Sequence, residues 1–353
     1  MASITQDQIW MQKAIQLAQL AEGLTTPNPC VGAVIVANEM IIGEGYHRKA
    51  GEPHAERNAL AHARELGNGD LLSHSCIYIT LEPCSTYGKT PPCTDAIIES
   101  GIKRVVYGSV DPNPSHAGRA KEILEQHGIE VVIGVLKEEC DYLIRAFALN
   151  ITQKRSWVIA KTAMTLDGRI VRGPDKPQWI TNEASRNFVH TLRAQADAIM
   201  TGGNTVRKDD PSLTIRTPDK EISPDKIQPW RVVLTHSAHK IPPQSTCLND
   251  EHKDRTVIIE NVSNYLELLQ YLYEQGPVSV VLLEAGGKLV REFLNAGLID
   301  EWIGFYAPII SGGNVFGVEG QRFLPKEAHL VNMKTQSFGD NFCVRGCVKY
   351  DTV

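Results

Sequence analysis

Strand-like and helix-like patterns alternate along this chain, and that alternation limits its fold more than any other feature. Apolar strands separated by helices are buried on both faces of a sheet, which defines an α/β protein. Residues 7–22 carry Trp10, Ala14, Leu17, Ala18 and Ala21 at helical spacing. Residues 31–37 are apolar and β-branched, and 41–46 should pair with them as a hairpin across Asn38-Glu39. Pro53 should open a helix carrying Ala55, Ala59, Leu60 and Ala63, because proline's missing N–H costs nothing in a first turn. Then come a strand at 76–81, a short helix from Pro92 to a stop at Gly101, and a strand at 104–109. A helix at 118–127, a strand at 130–134 and one closing helix at 138–149 complete the first set.

The polar stretch 150–156 separates this set from a second one, so two domains are expected, 1–150 and 151–353. Strands are expected at 157–162, 197–201, 231–235, 256–260, 278–283, 301–307 and 343–350. Helices are expected near 183–194, 264–274 and 287–296. Residues 217–229, with their prolines and charges, read as a surface loop.

The net charge of −5 and the absence of a Lys/Arg-rich block argue against a nucleic-acid partner. No apolar run approaches the roughly 18–20 residues that span a bilayer. The polar N-terminus lacks a signal pattern, so the expected location is cytoplasmic, with no membrane association. The cysteines are then expected to be thiols or metal ligands rather than disulfides.

Chemistry concentrates in three short elements: His54-Ala55-Glu56, Glu82-Pro83-Cys84 and Pro91-Pro92-Cys93. Catalytic zinc takes three protein ligands and keeps a fourth position for water. His54, Cys84 and Cys93 supply three. Cys93 in a first helical turn is placed where N–H groups favour the thiolate that metal binding needs. Glu56, two residues after His54 on the same helical turn, is the candidate catalytic acid/base: it can reach the water without ligating the metal. The zinc-deaminase signature His-x-Glu followed by Pro-Cys-x-x-Cys is met in its first part only. Eight residues, 85–92, separate the two cysteines here. Cys30, Cys76, Cys140, Cys247, Cys343 and Cys347 lie in or beside apolar runs and read as packing residues.

Three segments carry a family resemblance: Thr26-Pro27-Asn28-Pro29-Cys30-Val31-Gly32, Gly51-Glu52-Pro53-His54-Ala55-Glu56, and Leu81-Glu82-Pro83-Cys84 with the run from Gly88 to Cys93. In these, the chain resembles the bifunctional deaminase–reductases of riboflavin biosynthesis, over nearly its whole length. The resemblance implies an N-terminal cytidine-deaminase-like α/β/α domain followed by a dihydrofolate-reductase-like α/β domain. It implies zinc and NADPH as cofactors. It also implies a small-molecule pyrimidine sugar-phosphate, 2,5-diamino-6-ribosylamino-4(3H)-pyrimidinone 5′-phosphate, as substrate. Asn28, His47 and Lys89 are the implied substrate contacts of the first domain. The family's usual histidine is replaced by Thr86, which keeps a hydrogen bond and loses a possible charge. A homo-oligomer is the expected assembly.

The second half has no Gly-x-Gly-x-x-Gly after its first strand, so a Rossmann reading fits poorly. It has Glu284-Ala285-Gly286-Gly287-Lys288 between a strand and a helix, where paired glycines let backbone N–H groups approach a phosphate. Alone, such a pair is more often a plain turn. The segments 160–169, 178–181 and 205–216 also resemble the family's reductase half. The resemblance implies NADPH contacts at Ala163, Trp179, Thr205, Asp209, Gly286 and Gly287. It implies sugar-phosphate contacts at Arg193, Leu213, Arg216 and Glu284. Asp167-Gly168 reads equally well as a hairpin turn, and no residue stands out as the proton donor of the reduction. Two other readings stay open on sequence. One is a nucleobase or tRNA deaminase with an unrelated C-terminal domain. The other is a non-catalytic zinc module, which a three-ligand site beside a glutamate disfavours.

Overall fold

The computed structural model describes residues 5–87, 91–114, 116–216 and 226–351. The chain divides into two compact units, Met1–Lys154 and Arg155–Val353. No helix among the described residues is long and apolar enough to cross a membrane.

In the first unit, α1 (Gln6–Gln19) is closed by a capping box from Thr5 and Gln8. The hairpin β1 (Gly32–Ala37) and β2 (Met40–Tyr46) turns on Asn38 and Glu39, both at positive φ. Next come α2 (Ala55–Glu65), β3 (Cys76–Leu81), α3 (Cys93–Ser100), β4 (Arg104–Ser109), α4 (Arg119–Gln126) and β5 (Glu130–Ile133). The sheet runs β2-β1-β3-β4-β5: β1 is antiparallel to β2 and β3, while β3, β4 and β5 are parallel. On β2, side chains at Gly43 and Gly45 would sit 2.5 and 2.4 Å from the backbone of Ala59. Glycine there lets α2 lie directly on the sheet, which fixes where the helix begins.

Two local expectations need correction. The proline does not enter α2: the helix starts at Ala55, with His54 as its N-cap and Pro53 outside. The closing helix at 138–149 is two helices, α5 (Lys137–Leu143) and α6 (Arg145–Gln153), broken at Ile144. Arg145 lies over the Tyr142 ring and donates from Nη1 to the Tyr142 carbonyl at 2.7 Å, so a side chain satisfies an acceptor at the break.

The second unit begins with β6 (Trp157–Thr165), α7 (Glu183–Gln195), β7 (Ala198–Gly202), α8 (Gly203–Asp209), β8 (Trp230–Thr235), the short α9 (Thr246–Asn249) and β9 (Thr256–Glu260). It continues with α10 (Tyr265–Gln275), β10 (Val280–Leu283), α11 (Gly287–Asn295), β11 (Glu301–Ala307), β12 (Ala328–Phe338) and β13 (Asn341–Tyr350). Strand order is β12-β13-β11-β6-β10-β7-β8-β9. From β11 to β9 neighbouring strands are parallel; β12 and β13 form an antiparallel edge. The chain passes from β6 to β7 and returns later to insert β10 between them. Open α/β sheets bind ligands at the C-terminal strand ends where strand order reverses in this way. Sequence patterning missed α8, too short to show a period, and β12, whose mostly exposed residues do not alternate. Of the expected loop at 217–229, residues 217–225 lie outside the described residues.

Candidate active sites

In the first unit, the start of α2 meets the ends of β3 and the start of α3. Asn58 on α2 donates to the carbonyls of Tyr46 and Pro53, at 2.8 and 3.2 Å. Arg57 donates to those of Pro91 and Pro92, at 2.8 and 3.3 Å. These bonds tie the segment after β2 and the segment before α3 to one helix end and bring His54, Cys84 and Cys93 together, their ligand atoms all within 4.8 Å of one another.

The spacing suits a metal. The Nδ1 of His54 lies 3.5 Å from the Sγ of Cys84 and 3.4 Å from that of Cys93. Tetrahedral zinc, with bonds of about 2.3 Å to sulfur and about 2.0 Å to nitrogen, sets S···N edges at roughly 3.5 Å. The backbone N–H of Cys93 donates to the Sγ of Cys84 at 3.2 Å. The Cys93 thiol, aided by His54, draws the Cys84 thiol down to about 4; the same bond to Cys84, together with burial, holds the Cys93 thiol up. A cation bound between them would displace thiol protons.

Glu56 is 3% exposed. Burial, then the Cys84 charge, raises its carboxyl above the ordinary range, the direction required of a group that both takes and returns a proton near neutrality. His47 and Asn28 meet here as well: Nδ2 of Asn28 lies 3.0 Å from Nε2 of His47, and Nδ1 of His47 lies 3.2 Å from the Pro53 carbonyl. Only the Nδ1–H tautomer satisfies both contacts, and burial lowers the His47 pKa, keeping the ring neutral. The His47 and His54 rings pack edge-on with centroids 5.4 Å apart. Thr86 is half-buried, and its neighbour Tyr87 donates to Asp95 on α3 at 3.1 Å. Lys89 lies outside the described residues.

In the second unit, Glu284 follows β10 directly. Its backbone N–H donates to Met200 at 2.9 Å, and its carbonyl accepts from the Thr201 hydroxyl at 2.7 Å. Its carboxylate is gripped by Arg193, with Nε at 2.6 Å and Nη2 at 3.1 Å, and by Lys161 at 3.2 Å. Burial alone would raise the Glu284 pKa; Arg193 and Lys161 outweigh it and lower it far below the usual carboxylate range. Lys161 was not singled out from the sequence. Its signal was a lysine inside an apolar strand, and its meaning comes from register: Leu283 pairs with Ala160, which sets Glu284 beside Lys161.

Of the expected cofactor residues, Ala163 lies on β6 and Thr205 and Asp209 on α8. Trp179 is exposed, with the Arg186 guanidinium 5.3 Å above its ring, and its neighbour Gln178 reaches Asp209. Gly286 caps α11 and Gly287 opens it. A Cβ on Gly287 would lie 2.1 Å from the Phe316 carbonyl oxygen, so glycine is needed there for packing. Asp167-Gly168 is a turn, with Gly168 at φ +78°, and the Asp167 carboxylate also accepts from the N–H groups of Ser311 and Gly312. Leu213 is buried at φ +51° and Arg216 is exposed.

Two family models match the chain: the cytidine and deoxycytidylate deaminase zinc-binding region over residues 4–109, and the RibD C-terminal domain over residues 156–344. The second match sets aside an unrelated C-terminal domain. The riboflavin biosynthesis protein RibD of Aquifex aeolicus is 38% identical, covering 96% of this chain and 97% of its own. That of Escherichia coli is 37% identical, over 89% and 90%. Among solved structures, Acinetobacter baumannii RibD superposes with a TM-score of 0.84 at 35% identity, over 98% of this chain and 99% of its own. A diaminohydroxyphosphoribosylaminopyrimidine deaminase/5-amino-6-(5-phosphoribosylamino)uracil reductase from Thermotoga maritima gives 0.84 at 36% identity, with the same coverage.

Proposed function

The chain belongs to the RibD family of bifunctional riboflavin-biosynthesis deaminase–reductases, and from that premise we propose the chemistry of each site. The first unit hydrolyses the ring 2-amino group of 2,5-diamino-6-ribosylamino-4(3H)-pyrimidinone 5′-phosphate to an oxo group, consuming water and releasing ammonia. The observation that carries this reading is the convergence of His54, Cys84 and Cys93 beside a buried glutamate. These three residues would hold zinc, which when bound lowers the pKa of a water to about 7. Glu56 takes one proton from the water and gives it to the ring nitrogen, then takes the second from the added hydroxyl and gives it to the amine, which departs as ammonia. Asn28 and the neutral His47 orient the pyrimidine, and Lys89 meets the phosphate.

The second unit reduces the ribosyl group of the deaminated product to ribityl. NADPH supplies the hydride. Ala163, Trp179, Thr205, Asp209, Gly286 and Gly287 contact it, the last two where α11 begins. Arg193, Leu213, Arg216 and Glu284 contact the sugar-phosphate, and the Lys161 ammonium, paired with Glu284, supplies the proton of the reduction. Homo-oligomeric assembly and a cytoplasmic location rest on the resemblance and the composition.

The zinc reading has a direct test. Purified protein should carry about one zinc per chain by elemental analysis. Stripping it with a chelator should abolish ammonia release while leaving NADPH oxidation with the pre-deaminated product intact. Full ammonia release by metal-free protein would remove the mechanism.

A further inference from the structure

The stretch between α8 and residue 216 carries both Leu213 and Arg216, and side chains hold its backbone. Arg231 donates to the Ser212 carbonyl at 3.0 Å, and Arg193 to the Thr214 carbonyl at 2.9 Å. Gln228 takes the Ile215 N–H at 2.8 Å and donates to its carbonyl at 3.0 Å. The last grip belongs to His190, whose Nδ1 accepts the backbone N–H of Arg216 at 3.1 Å. His190 lies on α7 three residues before Arg193, so both face the same side of the helix. One helix face therefore fixes Glu284 through Arg193 and Arg216 through His190.

We propose that His190 is a positioning residue for the reduction: by accepting the Arg216 N–H it holds the Arg216 guanidinium toward the substrate's sugar-phosphate. The inference rests on the reading of Arg216 as a phosphate contact. Arginine suits that ligand because its fork donates two hydrogen bonds, but only if its stem is fixed. Arg216 sits at the end of the described part of this stretch, and the His190 bond fixes the backbone from which its side chain projects. A neutral imidazole is needed, since an Nδ1 bearing a proton cannot accept. The surroundings supply it. Burial, then Arg193 on α7 and Arg216 itself, push the His190 pKa down to about 4, against opposing pulls from Glu284 and the Thr214 carbonyl.

The test uses the full chain with pre-deaminated substrate. His190→Leu, which cannot accept, should raise KM for the sugar-phosphate about fivefold or more, with kcat and the KM for NADPH unchanged. His190→Asn, whose Oδ1 stands near the place of Nδ1, should restore most of the loss. Arg216→Met should raise the same KM, and the double variant should be no worse than Arg216→Met alone, since His190 acts through Arg216. If His190→Leu fails to bind NADPH, His190→Ser is measured in its place. An unchanged KM in the His190 variants beside a raised one in Arg216→Met overturns the inference and leaves the phosphate reading standing. An unchanged KM in Arg216→Met overturns both, and shows that the phosphate reading failed first.

Discussion

Glu56→Gln should keep its zinc and release ammonia about 10²- to 10⁴-fold more slowly, the range that a positioned acid/base group contributes. The substitution preserves shape and one acceptor oxygen, so the fold of α2 and the geometry of His54, Cys84 and Cys93 should survive. What it removes is a proton acceptor whose affinity burial has raised. Deamination uses that property twice, once to take the water's proton and once to give it up. Elemental analysis, ammonia release and NADPH oxidation with the pre-deaminated product, measured on one preparation, separate the outcomes. The third activity should match the parent, because Glu56 lies in the other unit. Full ammonia release from Glu56→Gln would exclude it as the proton carrier.

Glu284→Gln should have the largest effect on the second unit. The glutamate's side chain is 8% exposed, and it neutralises Arg193 at 11% and Lys161 at 16%. Removing one partner of a buried ion pair leaves charge uncompensated and destabilises by about 3–5 kcal/mol. The expected result is a lower denaturant midpoint for the transition of residues 155–353 and loss of reductase activity, with ammonia release retained. The pH dependence has a definite sign. A carboxylate whose folded pKa is depressed contributes stability fully above its unfolded value, about 4.3, and loses it as pH falls toward the folded value. In the parent protein this contribution should hold at neutral pH and fade only in strong acid; in Glu284→Gln that acid-dependent component should be missing. An unchanged midpoint would mean that the two cations find other partners.

The cluster of His54, Glu56, Cys84 and Cys93 was legible because each sits in a short motif whose chemistry is local: a histidine and glutamate at a helix start, and cysteines after a proline. What the sequence could not convey was how they are held. The role of Arg57 and Asn58 in sewing two connecting segments to α2 has no pattern of its own, and Pro53 resembles a first-turn proline although it stands outside the helix. The ion-paired cluster around Glu284 was legible only in part. Glu284 and Arg193 came from resemblance, whereas Lys161 joins them through the register of β6 against β10, a contact over 123 residues. His190 looks like one more residue on an amphipathic helix until the stretch ending at Arg216 folds back onto it. The break at Ile144 and the edge strand β12 were missed for a related reason: side-chain contacts and a neighbouring strand decide them, not periodicity.

The most direct measurement follows ammonia and NADPH separately after the diaminopyrimidine ribosyl phosphate is added to the zinc-loaded protein. Without NADPH, one equivalent of ammonia should appear; with NADPH, one equivalent should be oxidised, lagging behind the ammonia. NADPH consumption with no ammonia released, or no ammonia under either condition, would contradict a zinc deaminase feeding a reductase in one chain.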